Sequence, residues 1–261
     1  MSERILEQSL IKLVEPIIRH AGELIMAHYG KITSYKIKND RSILTEADME
    51  SEQFLLKALA PLIPGADLVA EEEGEVVAQG SDFKWVIDPL DGTTNFAHGF
   101  PYFCISIGLT YRGVPVFGAI YDPTRNELFH AQEGRGAFLG DKPIRVSAFH
   151  DISRAVVSAG VPCSRHDCDI FWRNFQAVDY AVHTYRKLGA AALDMSYVAS
   201  GRLDAALFGR LAWWDIVAGT ILVREAGGRV SEFEKDTIGP DFSTCLVTNG
   251  LLHENLRSLL S

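Results

Sequence analysis

Three observations predict a two-part fold, an α+β half followed by an α/β half. Two helical runs open the chain, each apolar on one side only. A long succession of strand-like segments follows, broken by glycines and Asp-Pro turns, and reads as a mainly antiparallel sheet. Near residue 148 the texture changes, and strand-like and helix-like runs alternate as in an α/β unit. The division is therefore placed between 1–148, an N-terminal α+β part with the large sheet, and 149–261, a C-terminal α/β part.

Composition narrows the function. With 261 residues and 47% hydrophobic content the chain can bury a substantial core. A formal net charge of -9 argues against a direct nucleic-acid binder, which needs Lys and Arg clustered on one face. No apolar run reaches the length of a membrane span, and the acids of MSERILEQ interrupt any signal-peptide core, so a cytoplasmic protein away from the membrane is expected. Cys104 and Cys245 lie in apolar strand-like surroundings, where thiols act as small hydrophobes. Cys163, His166 and Cys168 invite a zinc reading, but no second pair of ligands follows to complete a structural site.

In chain order, Leu6, Leu10, Leu13, Ile17, Ala21 and Leu24 follow helical spacing. They predict one amphipathic helix or two over residues 4–29, with a kink at Pro16 and an end at Gly30. A polar loop with Lys36 and Lys38 leads to a second helix, for which Thr45 is the N-cap and Asp48 its capping-box partner. A short strand, DLVA, then runs into Glu71, Glu72 and Glu73; such a run is ordinarily solvated, but here a strand end precedes another strand by a short loop, and both can bring carboxylates to one sheet edge. Strands separated by glycine and DPTRN-type turns are predicted through FPYFCISIGLTYRG, VPVFGAIYDPTRNELFHAQEG and GAFLGDKPIRVS. Beyond residue 148 come a strand (AVVSAG), a helix (IFWRNFQAVDY), a strand (HTYRKLG), a helix (AAALDMSYVASG) and a strand (DAALF). Arg186 and Lys187, the one basic run, read first as a solvated element end and second as a contact for a substrate phosphate or a partner subunit. Asp215 opens a helix, as its N-cap, that continues to about Ala226 and stops at Gly227 and Gly228. CLVTNG and LLHENLRSLL close the chain as a core strand and a helix.

The stretch Lys84–Phe96, KWVIDPLDGTTNF, carries the most chemistry. An apolar strand delivers Asp88 and Asp91 in a turn, and Gly92, Thr93 and Thr94 begin a helix. Paired carboxylates suit a hard cation, and exposed N–H groups at a helix start suit phosphate. Pro89 biases Asp88 towards extended backbone and leaves the Leu90 carbonyl free to face the same space. Taken alone, DPLDG is equally an Asx-turn between strand and helix.

The full string DPLDGTTNF resembles the signature of the inositol monophosphatase family of Mg²⁺-dependent, lithium-sensitive phosphomonoesterases. TEAD, EEE and WWD occur in that family's order, and the likeness spans essentially the whole chain. The resemblance implies a layered αβαβα sandwich with its site at the junction of the two halves, commonly in a homodimer. It implies two or three Mg²⁺ ions, with Asp88 bridging, Glu71 and the Leu90 carbonyl completing one site, and Asp91 and Asp215 a second. Asp48 and Thr93 would orient the attacking water, with Glu71 among the catalytic groups, and Gly92 and Thr93 would hold the phosphate.

On the alcohol side the resemblance implies contacts from Asp91, Gly189, Ala190, Phe208 and Asp215. Phe208 falls where inositol-specific relatives usually carry a glutamate, and Ala190 where they often carry Thr or Ser. The expected substrate is inositol monophosphate or a similar small polyol or sugar phosphate. Histidinol phosphate, fructose 1,6-bisphosphate and nucleotide 3′-phosphates are the alternatives. A different class, a regulatory interaction protein on a phosphatase scaffold, is suggested by bacterial relatives linked to transcription complexes; a pure scaffold would tolerate lost ligands, and every expected ligand is present here. A protein partner is thus compatible with the chain but not legible in it.

Overall fold

The computed structural model describes residues 7–38, 43–77, 80–160 and 168–260, and in it the chain is stacked in five layers. The outer helical layer is α1 (Ile11–His28) and α2 (Glu46–Leu59). Helix α1 presents Val14, Ile18, Ala21 and Ile25 to the core at helical spacing and runs on through Pro16 without ending there. Between the two helices lies a two-stranded ribbon, β1 (Lys36–Ile37) and β2 (Ile43–Leu44). Thr45 caps α2 as expected: its hydroxyl accepts from Ala47 N–H at 3.2 Å, and Asp48 Oδ2 accepts from Thr45 N–H at 2.8 Å.

The second layer is an eight-stranded sheet drawn wholly from the first part of the chain. Its strands are β3 (Asp67–Ala70), β4 (Gly74–Val77), β5 (Phe83–Asp91), β6 (Cys104–Tyr111), β7 (Val114–Asp122), β8 (Glu127–Gln132), β9 (Ala137–Leu139) and β10 (Lys142–Ile144). Their spatial order is β10-β9-β8-β7-β6-β5-β3-β4, antiparallel throughout except that β3 runs parallel to β5. That one parallel pair sets the site, because Ala70 lies beside Ile87 and the next residues on each strand are Glu71 and Asp88. A short helix, α3 (Thr93–Ala97), follows β5.

The remaining elements form the other three layers. Helices α5 (Ala191–Ala199) and α6 (Trp213–Glu225) fill the middle one. A five-stranded sheet of order β12-β11-β13-β15-β14 lies beneath them, made of β11 (Val156–Gly160), β12 (Thr184–Arg186), β13 (Ala205–Gly209), β14 (Arg229–Ser231) and β15 (Thr244–Thr248). Helices α4 (Cys168–Ala181) and α7 (His253–Arg257) cover its outer face. Three apolar clusters separate the layers, and the central one takes Cys104, Ile120 and Phe129 from the large sheet and Ala206, Cys245 and Val247 from the small one. Close approach of α6 to the large sheet demands glycine at 118, where a Cβ would come within 2.5 Å of the Ala218 carbonyl oxygen. Cys163 and His166 lie outside the described residues. Among the described residues, no helix is long and apolar enough to cross a membrane.

Candidate active site

Strand β5 does not turn at its acidic end as the sequence suggested. It continues through Pro89 to Asp91 with a bulge: Asp88 faces Ser106 and Asp91 faces Cys104, so three steps on β5 match two on β6. Proline cannot donate to the ladder, and the extra residue is absorbed beside it. The Asx-turn is present within the bulge, since Asp88 Oδ1 accepts from Leu90 N–H at 3.0 Å. Both aspartates are thereby held at the end of a rigid strand.

Helix α2 closes one side with a buried polar stripe. Thr45, Asp48, Ser51 and Glu52 are each 3% exposed or less, so the start of the helix buries polar groups on the face that Leu55 and Leu59 continue into the apolar core. Ser51 Oγ donates to the Pro89 carbonyl at 3.1 Å and fastens the helix to the bulge. Thr93 Oγ1 lies 3.1 Å from Asp48 Oδ1 and 2.9 Å from the Leu90 carbonyl oxygen, so the three sequence-predicted groups meet. The hydroxyl has one proton and donates to one of these oxygens at a time. Burial raises the Asp48 pKa, against the hydrogen bonds from Thr45 and Thr93.

Four further carboxylates converge from two elements and a turn: Asp88 and Asp91 from β5, Asp215 from α6, and Glu71 from the turn after β3. Asp88 is 1% exposed, and burial first, then the charges of Glu71, Asp91 and Asp215, push its pKa well up. Asp91 and Asp215 are raised in the same way, and Asp215 lies within hydrogen-bonding reach of Asp88. Lys38 supplies a countercharge at one edge: Nζ donates to Glu71 at 2.9 Å and to Glu72 at 2.5 Å. Burial would lower the Lys38 pKa, but these two partners outweigh it and leave the ammonium more basic than usual. Among the described residues, no three His, Cys, Asp or Glu side chains already close into a coordination shell.

Asp215 arrives from α6, though not as its N-cap. Ala212 occupies that position and Asp215 is the third residue of the helix, with Oδ2 accepting from Ala212 N–H at 2.7 Å. The helix starts three residues earlier than the sequence suggested, its N-cap being Ala212 in place of Asp215, because Trp213, Trp214 and Asp215 already have helical backbone. Trp213 and Trp214 also line a cleft of about 660 Å³ with Val69, Lys84, Val86 and Thr110.

The alcohol-side residues divide. Gly92, with φ 91°, is the N-cap of α3, and a Cβ there would meet the Tyr102 carbonyl oxygen at 3.0 Å and Ala190 Cβ at 3.1 Å, so glycine is required twice over. Gly189 and Ala190 therefore lie directly against the motif, and Asn95 Nδ2 locks them there by donating to the carbonyls of Leu188 at 2.8 Å and Tyr102 at 2.7 Å. Ala190 is the N-cap of α5 but has no side chain to cap with; Asp91 does so from the other half of the molecule, accepting from Ala192 N–H at 2.7 Å. Phe208 is different. It is 1% exposed, and its ring lies over Gly160 in the central core, so no open aromatic wall faces a ligand. Strand alternation accounts for this, with Leu207 pointing to the outer core and Phe208 to the inner one.

Lys38, Glu52, Asn95 and Asp194 were not singled out by sequence. Asp194 is fully buried and accepts from the Tyr102 hydroxyl at 2.6 Å, and burial pushes its pKa up to about 7. Asn95 lay inside the motif, and Glu52 stands four residues after Asp48, so both had a signal in spacing; Lys38 and Asp194 had none.

Comparison with known proteins decides the family. The family model described as "Inositol monophosphatase family" matches residues 6–261. The chain belongs to the inositol monophosphatase family. It is therefore a phosphatase, a phosphoric monoester hydrolase, and the layered α+β arrangement is the one its structural neighbours share. An inositol-1-monophosphatase of a Synechocystis strain is 34% identical over 97% of this chain and 89% of its own. A Nus factor SuhB of Pseudomonas aeruginosa is 38% identical over 87% of this chain and 86% of its own. The crystal structure of the extragenic suppressor protein suhB from Bartonella henselae superposes with a TM-score of 0.91 at 32% identity, covering 97% of this chain and 99% of that one.

Proposed function

We propose that the chain is a Mg²⁺-dependent phosphomonoesterase that hydrolyses inositol monophosphate, or a similar small polyol or sugar phosphate, to the alcohol and inorganic phosphate by direct attack of water. The supporting observation is the convergence of Glu71, Asp88, Asp91 and Asp215 beside the Asp48–Thr93 pair. Buried like charges need a countercharge, and carboxylate and carbonyl oxygens are the donors a hard divalent cation takes, so the donor set fits Mg²⁺. Glu71, Asp88 and the Leu90 carbonyl would hold one ion, and Asp88, Asp91 and Asp215 a second, with room in the assignment for a third. When bound, the ions neutralise charge on the phosphoryl group and lower the pKa of water.

The chain's own groups do the rest. Asp48 and Thr93 orient the attacking water and Asp48 takes its proton, with Glu71 alongside; general-base catalysis of this kind contributes about 10²- to 10⁴-fold. The N–H groups of Gly92 and Thr93 hold phosphate oxygens. Asp91, Asp215, Gly189 and Ala190 border the alcohol, and Phe208 shapes that side from beneath without touching it. Histidinol phosphate, fructose 1,6-bisphosphate and nucleotide 3′-phosphates are the competing substrates. The division at 148/149 belongs to the same proposal, since the first part would carry every ligand except Asp215. So do a cytoplasmic location and a homodimer. A protein partner in addition is suggested by the Nus factor relative.

Phosphate release over a panel of these monoesters, with Mg²⁺ and with excess chelator, tests the reading. Turnover of inositol monophosphate that needs Mg²⁺ and falls on adding Li⁺ is expected. Equal turnover in chelator would remove the metal, and silence on the whole panel would favour the regulatory reading.

A further inference from the structure

Helix α2 carries a second buried carboxylate that the proposed reaction does not use. Glu52 lies one turn beyond Asp48 on the same face of the helix and is 1% exposed. Its oxygens accept from backbone N–H groups in the turn between β3 and β4: Oε2 from Glu72 at 2.9 Å and Oε1 from Glu73 at 2.8 Å. Only Glu71, Glu72 and Glu73 separate those strands. A carboxylate buried beside other carboxylates is disfavoured, and two charge-assisted hydrogen bonds to the backbone amides of the turn offset that cost. A carboxylate is also the one side chain of this length with two acceptor oxygens, since glutamine offers one oxygen and sets an N–H against the other amide.

We infer that Glu52 is a positioning residue for Glu71. By clamping the two amides that follow, it fixes the peptide planes on the C-terminal side of Glu71, and with them the direction of the Cα–Cβ bond that sends the Glu71 carboxylate towards Asp88. The strand pairing of Ala70 with Ile87 fixes the other side. Lys38 then holds the Glu71 head group at 2.9 Å, but a flexible ammonium on a stem cannot set the backbone that carries it. The inference rests on the proposed role of Glu71 as a metal ligand.

The test compares wild type, Glu52→Gln, Glu52→Ala and Glu71→Gln in three measurements. These are phosphate release against Mg²⁺ concentration, calorimetric Mn²⁺ binding, and hydrogen exchange at the Glu72 and Glu73 amides. Removing a group that orients a metal ligand costs about 10- to 100-fold in metal affinity or activity. Glu52→Gln is therefore expected to raise the half-saturating Mg²⁺ concentration about tenfold, and Glu52→Ala further. Mn²⁺ affinity should fall in step, and both amides should exchange faster. Glu52→Gln, isosteric with the native residue, keeps the test open if the alanine variant does not fold. Faster exchange with Mg²⁺ and Mn²⁺ constants unchanged would reduce Glu52 to a turn anchor and overturn the inference. Unaltered metal dependence in Glu71→Gln would instead remove the premise, whatever the Glu52 variants do.

Discussion

Asp91 performs two roles that can be separated by substitution. Its Oδ2 caps α5 through Ala192 N–H at 2.7 Å, a task that needs an oxygen acceptor, while the proposed chemistry needs its charge. Asparagine keeps the acceptor and drops the charge. Asp91→Asn is therefore expected to fold with native stability in metal-free buffer and to lose turnover. Asp91→Ala should lose turnover and about 1 kcal/mol of stability as well, the usual cost of a lost N-cap. Chemical denaturation of both variants, read beside phosphate release, separates the two roles; equal stability of the pair would deny Asp91 the cap. Phe208 gives the opposite case. Counting along the sequence put it against the alcohol, but its ring is enclosed in the central core. Phe208→Glu is expected to bury an unpaired charge and cost about 3 kcal/mol or more, with no gain on inositol monophosphate. A stable variant with improved turnover would restore Phe208 to the pocket.

Elements were legible where their signal is local. The capping box of α2 is spelled by Thr45 and Asp48 within one turn, and it forms as read. The bulge at Pro89 was not legible, because it exists only against β6, and the sequence of β5 alone reads equally as a turn. Glu52 escaped for a related reason: an acid on a helix reads as solvated until the partner strand turn is in place. Helix α7 shows the same dependence on context. His253 is fully buried, with Nε2 3.0 Å from Ser231 Oγ and Nδ1 2.9 Å from Thr248 Oγ1. Ser231 also donates to the Glu232 carbonyl and Thr248 accepts from Gly250 N–H, so the network is satisfied by a neutral ring with its proton on Nε2. Burial first, then the Arg229 and Arg257 charges, depress its pKa to about 4, against Glu254 and Asp236. The unfolded chain therefore binds a proton that the folded one refuses between pH of about 6.5 and about 4. The stability contributed by neutral His253 is full above that window and is lost as pH falls through it. Wild type should accordingly exceed His253→Gln in stability at pH 7.5 by more than at pH 5, and a pH-independent difference would contradict this account of the network.

At the scale of the whole molecule, the two halves are joined through the site. Asp215 on α6 reaches Asp88 on the large sheet, and Asp91 on that sheet caps α5. The five layers were legible through family resemblance. The mixed order of the small sheet was not, because long-range pairing leaves no mark in the periodicity of any one strand. The proposal that this junction is a two-metal phosphatase site stands or falls on Asp88, the one carboxylate assigned to both ions. The most direct measurement is calorimetric Mg²⁺ binding, together with phosphate release from inositol monophosphate, for wild type and Asp88→Asn at matched thermal stability. The variant is expected to fold, to bind Mg²⁺ at least 100-fold more weakly, and to show no turnover above the uncatalysed background, a direct ligand being worth no less than the 10- to 100-fold typical of the groups behind it. Substantial Mg²⁺-supported turnover by the folded Asp88→Asn protein would contradict the assignment.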